Sequence, residues 1–224
     1  MREIVLDTET TGLDPNSGHR IVEIGALELF NHIPTDNTYH CYINPEREID
    51  QGAFEVHGLS AKFLENFATF GNIADEFNDF IKGDPLIIHN APFDISFLNA
   101  ELSAISYKTI NKDRIIDTLP MARKRFPGAQ VNLNALCRKY NIDNSHRDLH
   151  GALIDADLLA SVYLELIGGK QPDLKLGSDQ KKPNMTELIE QKERVKRVFA
   201  ASRAELGAHS ELLDGFTDPI WRIK

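Results

Sequence analysis

The segment "VLDTETTG" places Asp7 and Glu9 two residues apart at the end of an apolar run. In an extended strand, side chains at i and i+2 share a face, so both carboxylates point the same way from Cα atoms roughly 6 to 7 Å apart. Two like charges so placed need a compensating partner. Further acids stand where burial disfavours them. "IIHNAPFDISFL", 87–98, runs from an apolar strand into a helix whose first turn holds Pro92, suited to that position, and Asp94. "LHGALIDADLLASVYLELI", 149–167, is apolar nearly all round yet contains Asp155 and Asp157. An ionised side chain on such a helix must be paired or bind a cation.

Each residue also has a plain structural explanation. Asp94 near a helix N-terminus is stabilised by the helix dipole. Asp155 and Asp157 project about 200° apart at ~100° per residue, so one site can take only one of them. Periodicity does not choose, and a solvated position near the helix end accounts for either. His150 stands at or just before that helix, five residues ahead of Asp155, and His146 competes with it for any role. Asp117, ending the strand-like run in "RIIDTL", reads equally as a ligand or as the cap of the next helix. The combination is more specific than its parts: D-x-E on a strand, an acid after a strand-to-helix junction, and an acid with a nearby His on a late helix. Carboxylates gathered in this way repel one another, and two divalent cations make the cluster stable. Hard oxygen donors suit Mg²⁺ or Mn²⁺ better than zinc.

Strand-like runs at 3–7, 20–30 and 38–44 are separated by the turn signals "TGLDPNSG" and "NHIPTDN". Helical patterns follow at 60–67 and 72–82, then an apolar strand at 85–89. Helices near 92–105, 118–126 and 132–140 come next, with a long one ending near Ile167. Strands first, then helix and strand in alternation, predict an α/β fold with a mixed sheet covered by helices. A length of 224 residues with 42% hydrophobic composition suits one well-packed domain plus an extension. The sequence contains no 18-residue apolar run and no signal-peptide pattern, which predicts a soluble cytoplasmic protein without membrane association. Cys41 and Cys137 have neither metal-ligand spacing nor a disulfide framework and read as reduced thiols.

Residues 1–168 carry 14 Lys+Arg against 25 Asp+Glu, and residues 169–224 carry 11 against 9, for −9 overall. The acidic part argues against nonspecific nucleic-acid binding by counterion release. It remains compatible with an enzyme that meets phosphate through bound cations. After Leu166-Ile167, "GGKQPDLKLGSDQKKPN" reads as a linker. Asn184 with Glu187 resembles a capping box opening a helix. In it, Leu188, Val195, Phe199 and Leu206, at spacings of 7, 4 and 7, form one stripe. Such a helix on a tether is marginal alone and docks either on its own domain or on a partner.

Taken together, "VLDTETTG", "HNAPFDISFL" and "LHGALIDA" resemble the three motifs of the DEDDh 3′→5′ exonuclease family, whose ribonuclease H-like fold has a five-stranded mixed sheet. The resemblance covers 1–168, including "VHGL" at 56–59, "DTLPMARKRFPG" at 117–128 and "ALCRKYNIDNS" at 135–145. Within the family it is strongest to the proofreading subunits of bacterial DNA polymerase III. The resemblance implies two divalent cations, Mg²⁺ or Mn²⁺, held by Asp7, Glu9, Asp94 and Asp155, with Asp7 bridging both. It implies His150 rather than His146 as general base, Asp155 rather than Asp157 as ligand, and release of 5′-monophosphates from a 3′ end. Substrate contacts fall on Thr8, Thr10, Gly12, Leu13 as a wedge beside the terminal base, His57 and Phe93, with Asp117 as supporting structure. Gly52 departs from the pattern where an acid is expected, and Asn134 where Asp is.

The resemblance extends to the tail. "QPDLKL", with Gln171, Leu174 and Leu176, resembles the short motif by which replication proteins bind the sliding clamp. "RVFAASRAELGAHSELL" and the late "WR" resemble a polymerase-binding segment, which assigns Val195, Phe199, Leu206 and Trp221 to that partner. The implied layout is an exonuclease domain at 1–168, a linker with the clamp motif at 169–185 and a polymerase-binding tail at 186–224. The implied partners are a single-stranded or mispaired DNA 3′ end, the alpha subunit of DNA polymerase III and the sliding clamp (beta); a small accessory subunit is left undecided. A stand-alone ribonuclease trimming RNA 3′ ends explains 1–168 equally well but leaves the tail idle. A non-catalytic bridging module predicts damaged metal motifs, which this sequence does not have.

Overall fold

Strand β1 (Arg2–Thr10) alternates the residues it sends to the two faces of a sheet. Ile4 and Leu6 enter one apolar core, and Val5 enters another on the opposite face. This computed structural model describes residues 1–145, 149–168 and 200–217. The expectations for the linker at 169–185, for His146, and for Gln171, Leu174, Leu176, Val195, Phe199 and Trp221 lie outside these residues. The chain divides into two compact units, Met1–Leu174 and Lys175–Lys224.

In the first unit, β1 pairs antiparallel with β2 (Ile21–Phe30), which pairs antiparallel with β3 (Ile33–Tyr42). On its other side β1 pairs parallel with β4 (Leu86–Ile88), and β4 with β5 (Ile115–Asp117). The order β3-β2-β1-β4-β5 makes a five-stranded mixed sheet, as the sequence predicts. Strand β3 begins earlier than expected. The turn is confined to Asn31 and His32, both at positive φ (51° and 67°), the two-residue geometry that matches hairpin twist. Pro34 is accommodated because β3 is an edge strand.

The sheet is covered on both faces. Helices α3 (Phe70–Ile81) and α4 (Ala91–Ala104) pack on the Ile4 and Leu6 face. Helix α7 (Ala152–Leu166) lays Ala156, Leu159, Ala160 and Tyr163 against Val5, Leu27, Leu29 and Ile87. Helices α5 (Thr118–Arg125) and α6 (Leu133–Tyr140) stack outside α7 through Ala122, Leu136, Cys137, Leu158 and Val162. Helix α2 is shorter than expected, Ala61–Leu64 behind the N-cap Ser60. Helix α1 (Gln51–His57) was not legible in the sequence, because it buries only His57 and so has no apolar stripe.

In the second unit, helix α8 spans Arg203–Asp214, opened by a reciprocal capping box between Ser202 and Glu205. This corrects the expected stripe. Residues 200–202 are not helical, so Leu206 belongs to a helix that starts afresh after Phe199, where it is 56% exposed. Among the described residues no helix is long and apolar enough to cross a membrane.

Candidate active site

Asp7 and Glu9 lie on the α7 face of β1, opposite Gly25 and Glu23 of β2 in the register. A register shift between Glu9 and Thr10 ends the regular pairing there. Such irregularities re-aim side chains beside functional sites. Gly25 decides how near α7 comes. A Cβ at that position would lie 2.1 Å from the Leu153 nitrogen and 2.2 Å from the Ala152 carbonyl carbon, so only glycine admits the N-terminus of α7 against β2. One turn into α7, Asp155 is 3% exposed, whereas Asp157 faces solvent, so burial distinguishes two residues that periodicity did not.

His150 stands just ahead of the N-cap Gly151, its backbone N–H donating to the Val56 carbonyl of α1 at 3.1 Å. Its Nδ1 lies 3.3 Å from Asp155 Oδ2. Ligand atoms of Glu9, His150 and Asp155 all fall within 4.8 Å of one another. Asp7, His150 and Asp155 share the lining of a cavity of ≈ 560 Å³ with His89, Asn90 and Arg123. Two carboxylates and an imidazole at this spacing, with a third carboxylate in the same cavity, could hold a hard divalent cation.

Asp94 is held behind this cluster. Its Oδ1 accepts the Thr8 hydroxyl at 2.7 Å and the Thr8 backbone N–H at 3.1 Å, so it is tied to the residue between Asp7 and Glu9. At 3% exposure, burial pushes its carboxyl up to about 7, opposed by the Thr8 hydrogen bonds and reinforced by the charge of Asp117. Thr8 therefore spends its hydroxyl on Asp94 and does not line the neighbouring cavity. Asp117 Oδ1 accepts the backbone N–H of Leu119 at 2.9 Å, capping α5, and that of Asn90 at 3.0 Å, fixing the start of α4. It is a supporting residue. Asn134 accepts a hydrogen bond from Asn144 at 2.9 Å.

A second cavity, of ≈ 480 Å³, is lined by Glu9, Thr10, Gly12, Leu13, His57 and Phe93, together with α1 residues that include Gly52. Leu13 is 85% exposed on the loop after β1. A Cβ at Gly12 would meet the His19 ring at 2.3 Å, so the ring would have to move to admit one. His57 Nδ1 accepts the Leu59 N–H at 3.0 Å, which leaves the proton on Nε2, buried beside the Thr10 carbonyl without a well-aligned hydrogen bond. Burial pulls its pKa below the ordinary value, so the ring is a neutral donor at neutral pH. Glu23, not singled out from the sequence, is buried opposite Glu9 and meets His40 Nε2 at 2.7 Å. Its signal, and that of Gly25, was a polar or flexible residue inside the apolar run "IVEIGAL".

The exonuclease family RNase_T matches residues 4–163. A DNA polymerase III subunit epsilon of Rickettsia felis is 50% identical over 219 residues, covering 95% of this chain and 96% of the relative. The subunit of the same description from Escherichia coli is 43% identical over 225 residues, covering 95% and 92%. Among solved structures, Exonuclease X in complex with 5′ overhanging duplex DNA superposes with a TM-score of 0.59 at 22% identity, covering 74% of this chain and 90% of that one. The nuclease domain of 3′hExo, a DEDDh family member bound to rAMP, gives 0.61 at 18% identity, covering 74% and 91%. At those identities the two structures show the shared fold. The match over 4–163 and the near full-length relatives show that the chain belongs to the RNase_T exonuclease family.

Proposed function

We propose that the chain is the proofreading 3′→5′ exonuclease of a replicative DNA polymerase III, removing a mispaired 3′ nucleotide as its 5′-monophosphate. The observation that carries this reading is the convergence of Glu9, His150 and Asp155 within 4.8 Å, beside a cavity that Leu13, His57 and Phe93 line. The relatives described as DNA polymerase III subunit epsilon, aligned over nearly the whole chain, direct it to DNA and to that polymerase.

The donors fit Mg²⁺ or Mn²⁺: Asp7, Glu9 and Asp155 would hold two such ions, with Asp94, braced on Thr8, as the fourth acid. When bound, divalent ions supply polarisation of the scissile phosphate and acidification of the attacking water. His150 takes the proton of that water at Nε2, because Asp155 engages Nδ1 and orients the ring. Leu13 wedges beside the terminal base, Phe93 stacks on it, and the neutral His57 donates from Nε2. Thr10 and Gly12 shape the floor.

The proposed layout keeps the exonuclease at 1–168 and the tether at 169–185, where Gln171, Leu174 and Leu176 engage the clamp. The tail from 186 holds the alpha subunit through Val195, Phe199, Leu206 and Trp221. Tethering raises the effective concentration of the site near the primer end. The test compares 3′-mispaired DNA, paired DNA and single-stranded RNA, each with Mg²⁺ and with chelator. Preferential, Mg²⁺-dependent release from mispaired DNA is expected. Faster release from RNA would favour RNA trimming, and no release from any substrate would leave a bridging module.

A further inference from the structure

We propose that the outer face of α5 and α6 is a nucleic-acid contact surface, carrying the sugar–phosphate backbone of the strand whose 3′ end enters the Asp7, His150 and Asp155 cavity. The proposal rests on the exonuclease reading of that cavity. Residues 118–142 contain Arg123, Lys124, Arg125, Arg138 and Lys139 and no Asp or Glu, within a domain whose acids outnumber its Lys and Arg by 25 to 14. Three other arginines of the domain are engaged, Arg2 with Glu28 and Asp84, Arg20 with Glu101, and Arg114 with the carbonyls of Ile81, Lys82 and Asp84, while Arg47 donates to the Glu48 carbonyl. The five on α5 and α6 are exposed, and among the described residues none of them forms an ion pair, Lys139 resting its Nζ over the Phe126 ring at 5.0 Å.

Helix dipoles favour cations in a last turn, which accounts for where these residues sit. They do not account for the absence of Asp and Glu from the whole segment 118–142. Arg123 lines the same cavity as Asp7, His150 and Asp155, and Arg138 and Lys139 line a further hollow of ≈ 430 Å³ with Gln130. Arg123 thus brings positive charge to the lining of the catalytic cavity, and the Arg138 and Lys139 hollow begins at Gln130, the residue before Val131 of that lining. Its chemistry fits a polyanion read without regard to base, which an acidic domain can attract only where positive charge is concentrated.

The test measures binding of the full chain to a 12-nucleotide oligothymidylate with phosphorothioate linkages, by fluorescence anisotropy across a salt series. In the Arg138→Glu, Lys139→Glu variant, affinity at low salt should fall about tenfold, and the slope of log K against log salt should shrink by about 1.4 for two lost single-strand phosphate contacts. Arg138→Gln with Lys139→Gln should shrink the slope equally, and guards against loss of folding. Lys62→Glu with Lys108→Glu makes the same charge change elsewhere and should leave affinity within twofold. Unchanged affinity and slope in the α6 variants would overturn the proposal, as would an equal loss in the Lys62, Lys108 control. Because binding is read without turnover, wild-type chain that binds through these cations but never hydrolyses DNA would support this surface and refute the exonuclease reading.

Discussion

Gly25→Ala tests how the sheet positions the acids. Gly25 sits opposite Asp7 on the adjacent strand, and the added Cβ would lie 2.1 Å from the Leu153 nitrogen and 2.4 Å from the Ala152 oxygen, where ordinary contact begins at 3.4 Å. The obstructing atoms are backbone, so the first turn of α7 must retreat by about 1.3 Å, taking Asp155 and the adjoining His150 away from Asp7 and Glu9. Overpacking of this kind costs about 1–3 kcal/mol of stability. A displacement of about 1 Å in a catalytic constellation costs on the order of 100-fold in rate. The assay is single-nucleotide release from a labelled 3′ end at saturating Mg²⁺, with a urea melt confirming that the variant is folded. Gly83→Ala, where an added Cβ meets nothing within 4 Å, should match wild type in both measurements. A folded Gly25→Ala chain with turnover within twofold of wild type would refute the argument that close approach of α7 builds the site.

His150→Ala should lower turnover by about 10²–10⁴-fold while divalent-cation binding persists, as isothermal titration with Mn²⁺ would register. Because burial lifts the Asp94 carboxyl to about 7, the folded chain retains a proton that the unfolded chain has already released at that pH. In chelator, the contribution of Asp94 is therefore most favourable below pH 4 and declines as pH rises to 7, by up to about 4 kcal/mol. Melts of wild type and Asp94→Asn at pH 5 and pH 8 check this: the variant should lose that part of the slope, and Mg²⁺ at pH 8 should restore stability to wild type. Tyr163→Phe removes the hydroxyl that donates to fully buried Glu3 at 3.1 Å and should cost about 1–3 kcal/mol in urea unfolding.

Much of the site was legible because its residues sit at element junctions with strong local signals. D-x-E ends an alternating strand, Asp94 follows Pro92 into a helix, and Asp155 interrupts an apolar one, which makes them candidates; type and spacing left Asp94 open to a helix-dipole reading and did not choose between Asp155 and Asp157, and the family resemblance implied the set. What remained hidden depends on contacts between distant segments. Gly25 matters only because α7 crosses β2 there, and Glu23 only because the register sets it opposite Glu9. Helix α1 has no apolar stripe to betray it; the Asp50 N–H bond to the Thr11 carbonyl and the His150 N–H bond to Val56 hold it in place. Leu206 was grouped with Phe199 by period, but the Ser202 and Glu205 capping box starts the helix that holds Leu206 only at Arg203.

Acids from β1 and α7 should meet around divalent ions. Anomalous diffraction from wild-type crystals grown with Mn²⁺ and a nucleoside 5′-monophosphate measures it directly. Two manganese peaks are expected in the cavity between β1 and α7, with Asp7 contacting both and Glu9 and Asp155 among the ligands. Peaks confined to other surface carboxylates, or an empty cavity with the nucleotide bound, would contradict it.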